Sequence, residues 1–195
     1  MAMNNFPNKK YKTIYADPPW PEYGGGKIKR GADRHYDLMT VKDIIALPVS
    51  EISEDNAHLY LWSTNNFIPD ALGVMQAWGF KYKTKITWVK ANIHGNSFTL
   101  QNPSLGQYYR GLDEICLFGV RGHLPYKIIN GKRQQGRTVI CAPRREHSRK
   151  PNEMRKMIEK VSYSPRIELF ARERFDGWDA WGNEAPASVK AFACK

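Results

Sequence analysis

The chain has 195 residues, enough for one folded domain and too few for two ordinary domains with a linker, so we expect a single domain over residues 1–195. Hydrophobic residues make up 42% of the chain, which excludes a disordered protein. Lysine and arginine (30) outnumber aspartate and glutamate (19), and the net charge of +11 favours a polyanionic partner such as nucleic acid.

Neither a membrane nor a metal partner is expected. No apolar run approaches the roughly 20 residues of a spanning helix, and residues 1–10 contain no apolar leader, so the sequence predicts a cytoplasmic protein. Cys116, Cys141 and Cys194 are odd in number and widely spaced, which argues against disulfides and against a zinc site.

Six short apolar segments alternate with helical patterns, and this alternation predicts an α/β fold whose mostly parallel sheet has helices on both faces. The predicted strands cover residues 13–16, 58–62, 84–89, 114–120, 138–141 and 166–170. The predicted helices cover residues 41–47, 69–78 and 151–161, with Pro151 at the first helical position. Trp62 and Trp88 lie within apolar strands and are expected in the core.

Three segments show no regular pattern, namely residues 21–38, 91–109 and 122–136, and we expect irregular loops there. Each follows a predicted strand. Because ligands of open α/β sheets bind beyond the carboxyl ends of the strands, these loops are candidate walls of a site.

The residues with the clearest chemical meaning are Asp17, Pro18, Pro19 and Trp20, directly after the predicted strand 13–16. Neither proline has an N–H, so the turn presents a carboxylate and backbone carbonyls as acceptors beside a large aromatic ring. Such a turn suits an NH₂ group on a flat ring, because two acceptors would favour the pyramidal, nucleophilic form of the amine. The alternative is a simple Pro-Pro turn after a strand.

The sequence resembles the MT-A70 family of S-adenosylmethionine-dependent adenine N6-methyltransferases, whose catalytic tetrapeptide is Asp-Pro-Pro-Trp. The resemblance extends over residues 15–184 and implies a Rossmann-like methyltransferase fold with its motifs in permuted order, the catalytic turn first. The resembling segments, in family order, are YADPPW (15–20), HYDLMT (35–40), HLYLWST (58–64), AWGFKYKTKITWVK (77–90), LGQYYRGLDEICLFGVRG (105–122), HSRKPNEM (147–154), RIELFAR (166–172) and GWDAWGNE (177–184).

The resemblance implies roles for the catalytic turn. Asp17 and the carbonyl of Pro18 would hold the target amine at the point where the cofactor also binds, and Pro19 completes the turn. Trp20 would stack on the base. Most of the acceleration would come from in-line positioning and from the acceptors, since a neutral amine need not be deprotonated before it attacks a sulfonium methyl.

The cofactor, S-adenosyl-L-methionine, is assigned two contact regions. Lys150 precedes the predicted helix 151–161, whose free N–H groups favour an anion such as the methionine carboxylate. The family places this lysine in the cofactor pocket, with Ser148 as a neighbour; the alternative is a solvated cation. Arg172, Asn183 and Glu184 match the segment that contacts the cofactor ribose and adenine, although the sequence departs there from the commonest family pattern.

Five further residues are candidate contacts of the acceptor base. Arg110 and Glu114 match an Arg-x-x-x-Glu run whose glutamate the family places beside the base, and an ion pair at a strand edge is the alternative. Tyr23, His35 and Tyr36 follow the catalytic turn and could gate the pocket. No spacing supports His35 as a metal ligand.

Basic residues cluster in or next to the predicted site loops, which favours a track for a polynucleotide. The clusters are Lys27, Lys29, Arg30 and Arg34; Lys132, Arg133 and Arg137; and Arg144, Arg145, Arg149, Lys150, Arg155 and Lys156.

Together these features predict an adenine N6-methyltransferase that acts on nucleic acid, with DNA favoured over RNA, and that could pair with a second copy or a second methyltransferase-like subunit. Two alternatives stay open. One is a non-catalytic nucleic-acid-binding subunit, although such subunits lose the aspartate or the aromatic residue of the tetrapeptide. The other is a methyltransferase for a small-molecule or protein amine, which the net charge disfavours.

Overall fold

Ten strands and four helices are present in the part of the chain that the computed structural model describes, residues 6–21, 38–104, 108–145 and 149–182. The strands are β1 (Tyr11–Ala16), β2 (Ser53–Ser63), β3 (Lys81–His94), β4 (Ser97–Leu100), β5 (Asp113–Arg121), β6 (Ile128–Ile129), β7 (Lys132–Arg133), β8 (Val139–Ala142), β9 (Arg166–Leu169) and β10 (Asp179–Trp181). The helices are α1 (Val41–Ile45), α2 (Val49–Ile52), α3 (Ile68–Ala77) and α4 (Asn152–Val161).

One eight-stranded sheet has the order β10-β9-β1-β2-β5-β3-β4, with β8 paired to β3, and β6 and β7 form a separate ribbon. The pairs β10–β9, β9–β1, β1–β2 and β3–β8 are parallel. In contrast, β5 runs antiparallel to both β2 and β3, and β4 runs antiparallel to β3. The predicted α/β fold with a mostly parallel sheet is confirmed, and β5 is the reversed strand in its middle.

Helices cover both faces of this sheet, as predicted, because successive side chains of the central strands enter two different cores. One core joins Ile14, Leu59 and Leu61 to Ala71, Val74 and Met75 of α3. The other joins Tyr15, Tyr60, Trp62 and Trp88 to Met154 and Ile158 of α4. Trp62 and Trp88 are 1% and 2% exposed, so their predicted core position is confirmed.

The predicted helices agree with the structure to within two residues at each end, while α2 was not predicted. Pro151 caps α4 and the first helical residue is Asn152, one position later than predicted. On α4, Met154 and Ile158 are fully buried, whereas Met157 and Val161 stay partly exposed. No helix in the described ranges is long and apolar enough to cross a membrane.

Two of the three segments expected to be irregular contain strands, so that expectation is wrong for them. The first half of 91–109 extends β3 to His94 and returns as β4 through a two-residue turn in which Gly95 has φ 60°. The segment 122–136 contains the β6–β7 ribbon, whose turn residues Asn130 and Gly131 have φ of 49° and 72°. An Asn-Gly pair is the usual two-residue hairpin turn, because both positions need positive φ. In the remaining segment, 21–38, residues 22–37 lie outside the described parts of the chain.

Candidate active site

Several functional side chains meet at one edge of the sheet. Asp17 directly follows β1, Lys90 lies near the carboxyl end of β3, and Arg172 follows β9. Because β5 is reversed, Glu114 at its start pairs with Trp88 and reaches the same edge. The candidate site therefore lies beyond the carboxyl ends of the parallel strands, where ligands of such sheets bind.

Two lysines and two carboxylates form a continuous ion network at this edge. The Lys150 ammonium lies 2.8 Å from Asp17 Oδ2 and 3.1 Å from Glu114 Oε2, and the Lys90 ammonium lies 2.7 Å from Glu114 Oε1. The side chains of Lys150, Lys90 and Glu114 are 10%, 13% and 16% exposed, and that of Asp17 is 26% exposed. The network thus combines two positive and two negative groups in a largely water-excluded place.

The network shifts the pKa values of its members in different directions. Burial raises the pKa of Asp17, and the opposing effect of Lys150 does not cancel it. Burial acts in the same direction on Glu114, but Lys150 and Lys90 outweigh it and lower the pKa of Glu114. Burial alone would lower the pKa of Lys150, yet Asp17 and Glu114 raise it, so this ammonium stays charged at neutral pH. Asp17 is therefore the stronger base of the two carboxylates.

In the turn after β1, the backbone N–H groups of residues 18–20 are either absent or hydrogen-bonded within the turn. Pro18 and Pro19 have no N–H, and the next one, that of Trp20, donates to the carbonyl of Pro18 at 2.9 Å. The carbonyl of Pro19 accepts from the N–H of Met39 at 2.9 Å. A carbonyl oxygen has two lone pairs, so Pro18 can accept a second hydrogen bond. Together with the carboxylate of Asp17, the turn offers acceptors to a ligand.

Trp20 directly follows the acceptor turn, and its side chain is largely buried. Its ring is stacked on Phe67, with centroids 5.6 Å apart and planes 17° apart, and its indole N–H donates to the carbonyl of Trp62 at 3.0 Å. The residue is 7% exposed. A base could not use the face that Phe67 covers, and stacking of the target base on Trp20 stays a prediction.

Buried indoles support both lysines of the network. The Lys150 ammonium lies 5.4 Å from the centroid of Trp62, and the Lys90 ammonium lies 5.3 Å from that of Trp88. Trp62 is fixed in turn by its N–H, which donates to the hydroxyl of Tyr15 at 2.7 Å. Ring faces attract cations, so these two indoles help to hold the ammonium groups in place.

The structure brings some of the predicted site residues together and separates others. Glu114 and Lys150 lie at the network, and Arg172 acts on Asp17 through its charge. Arg110 is exposed and donates to the carbonyls of Pro103 and Ser104, so it does not form the alternative ion pair with Glu114. The remaining predicted residues lie outside the described parts of the chain: Tyr23, His35, Tyr36, Ser148, Asn183 and Glu184.

Two features of the site were not found from the sequence. Lys90 was not singled out, although a lysine directly after an apolar strand was the available signal. Arg155 was assigned to a basic cluster next to the predicted site loops, but it is 9% exposed and its guanidinium donates to both oxygens of Glu168 at 2.9 Å. Arg155 is therefore not available to phosphates.

In the described ranges, no group of three or more His, Cys, Asp or Glu side chains could hold a metal ion.

The family model of MT-A70 matches residues 11–184, which include the whole sheet and the network. The chain belongs to the MT-A70 family. This confirms the resemblance seen in the sequence and assigns the chain to a class of S-adenosylmethionine-dependent adenine N6-methyltransferases.

Relatives of two kinds match nearly the full chain. The type II methyltransferase M.MunI of Mycoplasma sp is 34% identical over 92% of this chain and 80% of its own length. The human N(6)-adenosine-methyltransferase catalytic subunit METTL3 is 29% identical over 90% of this chain, and a probable N(6)-adenosine-methyltransferase of rice is 30% identical over 90%. The match covers only 28% and 23% of these two longer proteins.

Proposed function

We propose that this chain is a single methyltransferase domain that transfers a methyl group from S-adenosylmethionine to N6 of adenine in nucleic acid, with DNA as the preferred polymer. The observation that carries the proposal is the turn after β1. The turn supplies the Asp17 carboxylate and the second lone pair of the Pro18 carbonyl as acceptors, while the N–H groups of residues 18–20 are absent or used within the turn. This is the arrangement that an exocyclic amine requires.

Two observations support nucleic acid, and DNA in particular, as the substrate. The net charge of +11 favours a polyanion over a small neutral substrate. The likeness to M.MunI covers 80% of that type II methyltransferase, whereas the likeness to METTL3 covers 28% of the human protein. For duplex substrates, we propose a second copy of the chain or another methyltransferase-like subunit as partner.

The residues present fit the cofactor. The Lys150 ammonium just before α4 has three N–H donors, and Asp17 and Glu114 are its two ion-pair partners among the described residues, so its third donor suits the methionine carboxylate. Arg172 approaches the same edge after β9. We assign Asn183 and Glu184, which follow β10 in the sequence, to the ribose and adenine, and we assign Ser148 to the cofactor together with Lys150. When bound, the cofactor supplies an electrophilic methyl group.

The chain's own residues then act on the amine. The carboxylate of Asp17 and the carbonyl of Pro18 accept the two N6 hydrogens, which holds the nitrogen in its pyramidal form with its lone pair directed away from the acceptors. The nitrogen becomes cationic as it gains the methyl group, and it must then lose a proton. Because burial raises the pKa of Asp17, this carboxylate is a better proton acceptor than an ordinary aspartate.

Methyl transfer to matched oligonucleotides tests the proposal. The protein is incubated with labelled S-adenosylmethionine and single- or double-stranded DNA or RNA, and the modified nucleoside is identified by mass spectrometry. We expect N6-methyladenine, formed faster in DNA than in RNA.

The variant Asp17→Asn should lower the rate at least about 100-fold, because the amide cannot accept the proton and presents one acceptor fewer. The matched control is Asp55→Asn, which changes the same charge at an exposed position near the opposite end of β2. A folded Asp17→Asn protein with a rate within a few-fold of wild type would remove Asp17 from the reaction. Binding of cofactor and DNA without methylation of any substrate would identify a non-catalytic subunit instead.

A further inference from the structure

A cavity of about 440 Å³ lies away from the ion network. It opens on the α4 face of the sheet, between Met157 and Val161 in the last turns of α4 and the first half of β3. Lys150 precedes α4 and Val161 ends it, and the ten residues of this helix span roughly 15 Å. The cavity is therefore a separate site, and its volume is in the range of pockets that hold small ligands.

The interior of this cavity is aromatic. Tyr60, Phe118 and Tyr126 line it, and the Phe118 ring packs against both Tyr60, at 4.9 Å between centroids, and His58, at 5.1 Å. Ile86 and Met157 add apolar surface. A flat, apolar wall of this kind suits a planar ring system, because every nucleobase has a face that stacks on aromatic side chains.

A buried hydrogen-bond network fixes one wall of the cavity. His58 Nε2 lies 2.7 Å from the carbonyl of Leu124 and must donate to it, because a carbonyl only accepts. The neutral His58 then accepts from the hydroxyl of Ser162 at 2.7 Å, and the Tyr60 hydroxyl bonds to the same serine at 2.8 Å. The loop that carries Leu124 is thus tied to β2, so the cavity has a rigid frame.

The rim of the cavity is positively charged. Lys83 on the β3 side and Arg137 before β8 are both exposed lining residues, and neither forms an ion pair with any described residue. The lining residues that the structure describes include no aspartate or glutamate. Two unpaired cations over an aromatic interior complement an anionic group attached to a planar ring, and a nucleotide has this chemistry.

We propose that this cavity is a second nucleotide-binding site, in which a base enters the aromatic interior and its phosphate is held by Lys83 and Arg137. The nucleotide could come from a free mononucleotide or from a polynucleotide that also passes the catalytic edge. The proposal does not depend on methyl transfer, because neither the ion network nor the turn after β1 forms any part of the cavity.

Binding of cytosine nucleotides to the full chain tests this site, since these probes contain no adenine for the catalytic edge. Deoxycytidine 5′-monophosphate and a single-stranded oligo-deoxycytidine are titrated by calorimetry without cofactor. The variant Lys83→Ala/Arg137→Ala removes the two rim charges. Its matched control, Lys85→Ala/Lys132→Ala, removes two nearby exposed cations that do not line the cavity.

We expect the rim variant to weaken binding about fivefold or more, and the control pair to change it less than about twofold. A second variant, Thr84→Trp, fills the cavity from its exposed side without a change of charge and should weaken binding equally, whereas Thr99→Trp on β4 should not. Loss for both probes identifies a general nucleotide site, and loss for the oligonucleotide alone identifies a site for a polynucleotide segment. If neither Thr84→Trp nor the rim variant differs from its control with either probe, the proposal is wrong.

Discussion

Replacing Lys150 by methionine tests the ion network without any assumption about substrate. The change removes the ammonium that, among the described residues, pairs with both Asp17, at 2.8 Å, and Glu114, at 3.1 Å. Two carboxylates then remain close together, Glu114 paired with Lys90 and Asp17 with the charge of Arg172. Breaking a buried ion pair costs about 3–5 kcal/mol, and we expect about 3 kcal/mol of lost stability at pH 7 because Asp17 is partly exposed to solvent.

The stability lost in Lys150→Met should be larger at neutral pH than at acidic pH. The pKa of Glu114 in the folded protein is lowered, so its contribution to stability is present above the unfolded pKa and is lost as the pH falls through the folded pKa. Without Lys150 that contribution shrinks. The pKa of Asp17, already raised, rises further, so ionised Asp17 opposes folding at neutral pH. Protonation of the two carboxylates at low pH removes the partners of Lys150, so the stability advantage of wild type over the variant should shrink as the pH falls.

Urea unfolding at pH 7 and near pH 4 measures this difference. Lys150→Arg, which keeps the charge, should lose much less stability than Lys150→Met at pH 7. Lys156→Met, at an exposed position of α4, is the matched control for the loss of one lysine. A Lys150→Met loss that is below about 1 kcal/mol at pH 7, or equal at both pH values, would refute the reasoning.

Three further predictions follow from other parts of the molecule. Arg155→Met leaves Glu168 buried without its two hydrogen bonds of 2.9 Å, and urea unfolding should show a loss of about 3 kcal/mol; an unchanged midpoint would contradict this. Burial lowers the pKa of His58 in the folded protein, so the unfolded chain binds more protons and stability should fall as the pH drops below about 6.5. Thermal unfolding of His58→Gln should lack this part of the pH dependence, and identical slopes would count against it. Methylation should be faster for unpaired than for paired adenines, because a paired adenine must first be flipped out of the duplex at a cost of a few kcal/mol. It should slow steeply with salt because phosphate contacts are screened, and a faster rate on perfect duplex would overturn this prediction.

The elements that could be predicted from the sequence are those with a local signal. The apolar run of β1 ends at Asp17, and two prolines without N–H groups follow, so both the strand and the acceptor turn were identified. Periodic apolar residues on α4 likewise gave its position to within one residue. Asn130-Gly131 carried an equally clear hairpin signal, and it was missed because the flanking strands have only two residues each.

The features that could not be predicted depend on which segments meet in space. An apolar run does not reveal the direction of its strand, so nothing in residues 114–120 indicated that β5 is reversed and carries Glu114 to the catalytic edge. The sequence could not predict that Lys150 bridges two carboxylates for the same reason, because its two partners lie 133 and 36 positions away along the chain. For this reason the sequence assigned Lys150 to an external anion and did not anticipate Asp17 as its partner.

The charge balance of the ion network limits which ligand groups can bind to Asp17. Two ammonium groups balance two carboxylates, so a charged ligand group at Asp17 would have to displace or oppose Lys150. A neutral amine requires neither, because it donates hydrogen bonds to lone pairs of Asp17 that Lys150 leaves available. On the proposed function, positive charge then develops on the nitrogen only as the methyl group is transferred. The carboxylate therefore interacts more strongly with the transition state than with the bound adenine, which is the condition for an acceptor to accelerate the reaction and not merely tighten binding.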